Sequence, residues 1–193
     1  MGRRFSKSLN RKTHANPQAG ISTLDEEEAL DFIDRMKAEA FILLLDQVQD
    51  PRNLGACLRS ADGAGVNLVA MPADRSAGLT EVVRHVAAGA AESLTLIRVR
   101  NLARFMERLK ERSIRLVGTS DQARASIFEV DLTGPLGIVM GAEGAGIRRL
   151  TAESCDELMN IPMHGSIDCL NVSVATGVCL YESSRQRNKK NID

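Results

Sequence analysis

The sequence predicts an α/β fold, a mostly parallel sheet with helices on both faces, and three observations carry that reading. Short apolar runs recur along the chain at 41–45, 66–71, 95–99, 114–118, 137–140 and 158–161. The first, FILLL, has no polar alternation, as expected of a strand covered on both faces. Between the runs lie segments with apolar residues at helical spacing, and strands alternating with helices specify a parallel sheet with crossover helices. Finally, 193 residues with 44% hydrophobic and 26% charged content suffice for one substantial core.

The elements follow in order. Residues 1–22 are polar and basic, broken by Pro17 and Gly20, and read as an arm. An acidic helix follows over 23–40, with Thr23 and Glu26 as its expected capping box and Leu24, Ala29, Ile33 and Met36 as a weak apolar face. The chain therefore divides into an extension, 1–40, and a domain proper, 41–193. After FILLL, a helix over 53–64 carries Leu54, Cys57, Leu58 and Ala61 at helical spacing, and Gly65 suits its C′ position. The strand 66–71 and a helix over 80–88 come next. Asn101 then caps a helix bearing Leu102, Phe105, Met106 and Leu109. The strands 114–118, 137–140 and 158–161 complete the sheet, and a last helix spans 171–186.

Composition narrows the function classes. Formal net charge is zero, with 25 basic and 25 acidic residues, so no global field favours nucleic acid. Locally, Arg3, Arg4, Lys7, Arg11 and Lys12 make a basic start, and Arg185, Arg187, Lys189 and Lys190 a basic end. Cys57, Cys155, Cys169 and Cys179 show no CxxC spacing and no histidine partner, so they read as reduced thiols with no zinc site. No apolar run approaches the roughly 20 residues of a membrane span, and the basic N-terminus lacks the apolar stretch of a secretory signal. The expectation is a cytoplasmic protein that binds neither metal nor membrane.

In open parallel sheets, ligands bind beyond the carboxyl ends of the strands. Three such ends carry unusual residues: 46–55 (DQVQDPRNLG), 140–147 (MGAEGAGI) and 161–175 (IPMHGSIDCLNVSVA). The middle loop runs G-x-x-G-x-G, the reverse of the dinucleotide fingerprint, and lacks the GK[ST] of a phosphate-binding P-loop. Glu143 within it would repel phosphate, which disfavours a nicotinamide or ATP site of ordinary type. His85, His164 and Ser166 raise the thought of a hydrolase, but no G-x-S-x-G elbow is present. Asn53 and Arg59, six residues apart on one helix, would converge only if Asn53 sat in the preceding loop.

Taken together, DPRNLGACLRSADGAGV, IVMGAEGAGIRRL and IPMHGSIDCLNVSVATGVCLYE resemble the three signature motifs of the SpoU/TrmH branch of the SPOUT RNA methyltransferases. The similarity spans about 41–187. Within that branch, GAAESLTLIRVRNLA and the RQR at 185–187 look most like the bacterial large-subunit rRNA guanosine 2′-O-methyltransferase group. The resemblance implies a deep C-terminal trefoil knot, S-adenosylmethionine as cofactor, a homodimer whose active site is completed across the interface, and methyl transfer to a ribose 2′-OH in RNA. It implies rRNA as the target, with tRNA the alternative. A catalytically weakened RNA-binding or ribosome-assembly factor is the alternative of a different class.

Carried over residue by residue, the resemblance makes Asn53, Arg59, Glu143 and Asn171 the catalytic positions. It gives Gly141, Ile161 and Leu170 to the cofactor, with Thr119 ending another strand nearby. The third motif reads C-L-N, so Cys169 stands where the family pattern has serine. The rRNA group also carries a small N-terminal RNA-recognition domain. Before its first strand, this chain has about forty residues, the basic arm and the acidic helix.

Overall fold

Strand β3 (Phe41–Leu45) is buried at all five positions, and its side chains divide strictly by parity. Phe41, Leu43 and Leu45 enter one hydrophobic cluster, and Ile42 and Leu44 enter the other. This two-sided burial is what the unalternating FILLL run encodes. The computed structural model describes residues 14–15, 22–142, 144 and 146–189.

Before β3 come a two-residue antiparallel pair, β1 (His14–Ala15) and β2 (Ser22–Thr23), and helix α1 (Glu26–Met36), which ends in a 3-10 turn (Lys37–Glu39). After it follow α2 (Pro51–Gly63), β4 (Leu68–Pro72), α3 (Glu81–Ala87), α4 (Ala90–Ser93), β5 (Thr95–Val99) and α5 (Leu102–Lys110). The second half holds β6 (Arg115–Thr119), β7 (Ala125–Ser126), β8 (Leu136–Met140), α6 (Arg149–Glu153), β9 (Glu157–Asn160) and α7 (Val172–Lys189).

The main sheet has seven strands in the order β5-β4-β3-β8-β6-β9-β7, and every pairing in it is parallel. One face is covered by α2, α3, α4 and α7 through residues such as Leu54, Val83, Ala91 and Leu180. The other is covered by α1 and α5 through Leu30, Ile33, Phe105 and Leu109. Because all seven strands run the same way, their carboxyl ends share one edge. The loops after β3, β6, β8 and β9 all emerge there.

Two local expectations need correction. The capping box of α1 is formed by Asp25 and Glu28, not by Thr23 and Glu26: Asp25 accepts the Glu28 N–H at 2.9 Å, and Glu28 accepts the Asp25 N–H at 3.0 Å. Leu24 lies outside the helix and instead bridges Ile97 of β5 in parallel, its N–H donating to the Leu96 carbonyl at 2.9 Å. Sheet pairing thus claims the residue that helical spacing assigned to α1. The elements β7, α4 and α6, of two, four and five residues, are too short to carry a periodic signal.

Candidate active site

The N-terminus of α2 is fixed by Asp50, whose carboxylate accepts the Arg52 N–H at 2.7 Å, with Pro51 in the first turn. Asn53 therefore lies inside that first turn, not in the loop before it. Arg59, further along α2, is exposed and makes no hydrogen bond or ion pair among the described residues.

Asn171 caps α7 in the same manner, accepting the Ser173 N–H at 2.9 Å and the Ser173 hydroxyl at 2.7 Å. Its amide nitrogen donates to the Asn53 side-chain oxygen at 3.1 Å. One hydrogen bond thus joins the starts of two helices 118 residues apart in the chain, directing the positive ends of both helix dipoles at the same edge. Farther along, α7 stays on α2: the Cys57 thiol meets the Thr176 hydroxyl at 3.5 Å inside the core.

The glycine loop after β8 closes on itself. Ala142 and Gly146 exchange backbone hydrogen bonds at 3.0 and 2.9 Å. A Cβ on Gly141 would sit 2.0 Å from the Gly146 carbonyl carbon, so only glycine permits this closure, and Gly144 and Gly146 take positive φ of 74° and 64°. Glu143 lies outside the described residues.

Asp46 fastens the base of that loop, a role that sequence reading did not assign. Its N–H donates to the Met140 carbonyl at 2.8 Å, just before the loop. Its carboxylate, completely buried, accepts the Arg148 N–H at 3.0 Å and the Arg148 Nε at 2.8 Å, just after it. Nη2 of the same guanidinium lies 2.6 Å from the carboxylate. A charge removed from water needs such a partner. The one available signal was an aspartate directly ending a wholly apolar strand.

Thr119, at the end of β6, donates its hydroxyl to the Val139 carbonyl at 3.3 Å. Ile161 is half-buried against the core cluster, and Leu170 is half-buried at the far end of the same loop. Between them His164, Ser166, Ile167 and Cys169 are exposed. The edge therefore combines loop backbone stripped of side chains, half-buried aliphatic walls and one hydroxyl. These groups suit a ligand with an apolar ring and hydrogen-bonding edges better than a polyphosphate. Among the described residues no cluster of three His, Cys, Asp or Glu could hold a metal ion.

A parallel sheet whose carboxyl edge carries three such loops, a self-closed glycine loop among them, and two asparagine-linked helix starts defines a class of α/β domain. Similarity to known proteins specifies it further. The family model described as the SpoU rRNA Methylase family matches residues 40–181. The chain is 61% identical over 147 residues to the 23S rRNA (guanosine-2′-O-)-methyltransferase RlmB of Pectobacterium atrosepticum, covering 76% of this chain and 60% of that protein. It is 59% identical over 150 residues to the enzyme of the same name from Escherichia coli, covering 78% and 62%. Among solved structures, the SpoU methyltransferase AviRb from Streptomyces viridochromogenes, in complex with the cofactor AdoMet, aligns with a TM-score of 0.75 at 30% identity over 81% of this chain and 64% of that one. The A. aeolicus TrmH/SpoU tRNA modifying enzyme aligns with a TM-score of 0.73 at 30% identity over 86% of each. This chain belongs to the SpoU methylase family. It spans about three fifths of the length of the curated relatives named above.

Proposed function

We propose that this protein transfers a methyl group from S-adenosylmethionine to the ribose 2′-OH of a guanosine in large-subunit rRNA. The observation that carries the reading is the Asn171–Asn53 hydrogen bond, which brings the third motif onto the first at the carboxyl edge of the sheet. The rRNA specificity rests on the relatives named for that reaction.

Gly141, Ile161, Leu170 and Thr119 would hold the cofactor, through loop backbone, two aliphatic walls and a hydroxyl. S-adenosylmethionine supplies an electrophilic sulfonium methyl. The attacking 2′-OH is a weak nucleophile that must lose its proton as it attacks, so it needs exact placement and a proton acceptor. A guanidinium is an awkward base, so Arg59 is not assigned to take the proton. Its role is to clamp the RNA phosphate with its planar fork, the proton leaving through phosphate or water. Asn53 and Asn171 orient the two helix starts, and Glu143 fixes backbone or arginine within the glycine loop. Substituting Arg59→Lys tests this assignment. Methyl transfer should fall at least tenfold, below the usual cost of removing a group that stabilises the transition state, and near-full turnover at neutral pH would contradict the need for a fork.

The architecture supports two further parts of the reading. Strand β8 inserts between β3 and β6, the chain then crosses β6 to place β9 on its far side, and α7 returns to pack on α2. That path supports a C-terminal trefoil knot, an exception to the rule that chains do not thread loops. On α7, Val174 and Tyr181 are 52% and 56% exposed and stand seven residues apart, on one helical face. A second copy covering that stripe gives the homodimer, and sedimentation of a single monomeric species at micromolar concentration would exclude it. Residues 41–193 form the catalytic domain and 1–40 an extension to it. The arm's basic residues Arg3, Arg4, Lys7, Arg11 and Lys12 lie outside the described residues, as does Lys190. No helix among the described residues is long and apolar enough to cross a membrane, and the place of action is the cytoplasm, where the rRNA is.

A further inference from the structure

Formal net charge is zero, so a surface where arginines outnumber available acids departs from the molecule's average. One such surface continues outward from the site along the carboxyl edge of the sheet. The loop 73–77 after β4 is tied to the first site loop by the Ala77 N–H, which donates to the Val48 carbonyl at 2.8 Å. On its other side the Ala73 N–H donates to the Val99 carbonyl of β5 at 2.8 Å, and Arg98 Nη2 donates to the Ala73 carbonyl at 2.5 Å.

Arg75 in this loop is exposed and holds φ at 57°, a left-handed conformation that a residue with a Cβ rarely adopts and that clusters at functional loops. Next along the edge, Arg100 and Arg104 are exposed on either side of Asn101, which caps α5 by accepting the Arg104 N–H at 3.1 Å. Arg98, Arg100 and Arg104 line one groove.

The acids of that groove are already occupied. Glu26 and Glu27 pair with Arg108 at 2.9 and 2.8 Å, and Asp25 caps α1. Asp74, beside Arg75, is exposed. The side chains of Arg75, Arg100 and Arg104 form no ion pair among the described residues. Three guanidiniums with unused donors thus stand on a rim continuous, by backbone hydrogen bonds, with the first site loop. Two strand spacings, roughly 10 Å, separate β3 from β5, a distance that a few nucleotides cover.

We infer that this arginine rim, Arg75, Arg100 and Arg104 braced by Arg98, grips the phosphate backbone of RNA flanking the target ribose. The inference rests on the methyl-transfer reading for the identity of the RNA. Guanidinium forks suit phosphate oxygens, and such contacts fix register without reading sequence.

The test measures binding of an in vitro transcript of bacterial 23S rRNA across a salt series, with S-adenosylmethionine affinity by calorimetry in parallel. R100A/R104A should weaken RNA binding at least tenfold at 100 mM salt and reduce the slope of log affinity against log salt by about 1 to 2, close to one for each phosphate no longer neutralised. R75G, which keeps the left-handed turn and removes the guanidinium, should lower the slope by about 1. Cofactor affinity should stay unchanged in both variants. Wild-type slopes in the variants, or an equal loss of cofactor binding, would overturn the rim. So would a wild-type protein that binds no RNA. Salt-dependent RNA binding with no methyl transfer would leave the rim standing and sink the methyltransferase reading instead.

Discussion

At the scale of single residues, the site depends on side chains that hold loops as much as on those facing a substrate. Asp46 bonds to both ends of the glycine loop and is wholly buried. Breaking a buried ion pair costs about 3–5 kcal/mol. Because the Arg148 side chain is 43% exposed and can recover water, Asp46→Asn should cost less, about 2 kcal/mol, and urea unfolding measures it directly. Cys169 offers a second test. It is exposed, whereas Cys57 and Cys179 are buried and Cys155 is half-buried. One thiol should therefore react quickly with a disulfide reagent in native protein, and saturating S-adenosylmethionine should slow it. Fast labelling of two or more thiols, or labelling indifferent to the cofactor, would contradict the placement of that loop.

At the scale of elements, the sequence was most legible where one physical signal dominated. FILLL announced a strand buried on both faces, Asn101 announced the start of α5, and Gly65 was read as the residue after α2 and takes φ of 81°. Legibility failed where a long-range partner overrode local preference. Leu24 fits a helical face by spacing, yet the edge of β5 captures it, and the cap moves to Asp25. The same limit held in the site. Motif order brought Asn53 and Asn171 to attention, but their contact spans 118 positions and no spacing rule expresses it. Asp46 escaped because its partner lies 102 residues away. The glycine loop is where element geometry predicts function most sharply. Gly141→Ala places a methyl 2.0 Å from the Gly146 backbone, forcing the hairpin open at a cost of about 1–3 kcal/mol. Calorimetry should show cofactor affinity reduced at least tenfold, which corresponds to about 1.4 kcal/mol, with Arg75→Gly as a control that leaves it intact.

At the scale of the whole molecule, interleaving of the strands makes the site a product of the complete topology, since its four loops come from strands scattered through the chain. Its thiols record how tightly the halves pack. Burial pushes Cys57 up to about 11, Cys155 up to about 12 with the Asp156 charge adding, and Cys179 up to about 12. Each folded value lies above that of the unfolded chain. The stability these thiols contribute is therefore complete below about pH 8.5 and is lost as pH rises toward the folded values. Unfolding free energy should decline from pH 9 to 11, and Cys179→Ala should flatten the decline by at most about 1.4 kcal/mol per pH unit. An unchanged slope would mean that Cys179 is accessible to water.

Product analysis tests methyl transfer to a ribose hydroxyl of guanosine in large-subunit rRNA. Purified protein would be incubated with methyl-labelled S-adenosylmethionine and unmodified 23S rRNA, the RNA digested to nucleosides, and the labelled nucleoside identified by mass spectrometry. The expected product is 2′-O-methylguanosine, lost on Asn171→Ala substitution. Label on a base nitrogen, or no transfer by protein shown to bind both cofactor and RNA, would contradict it.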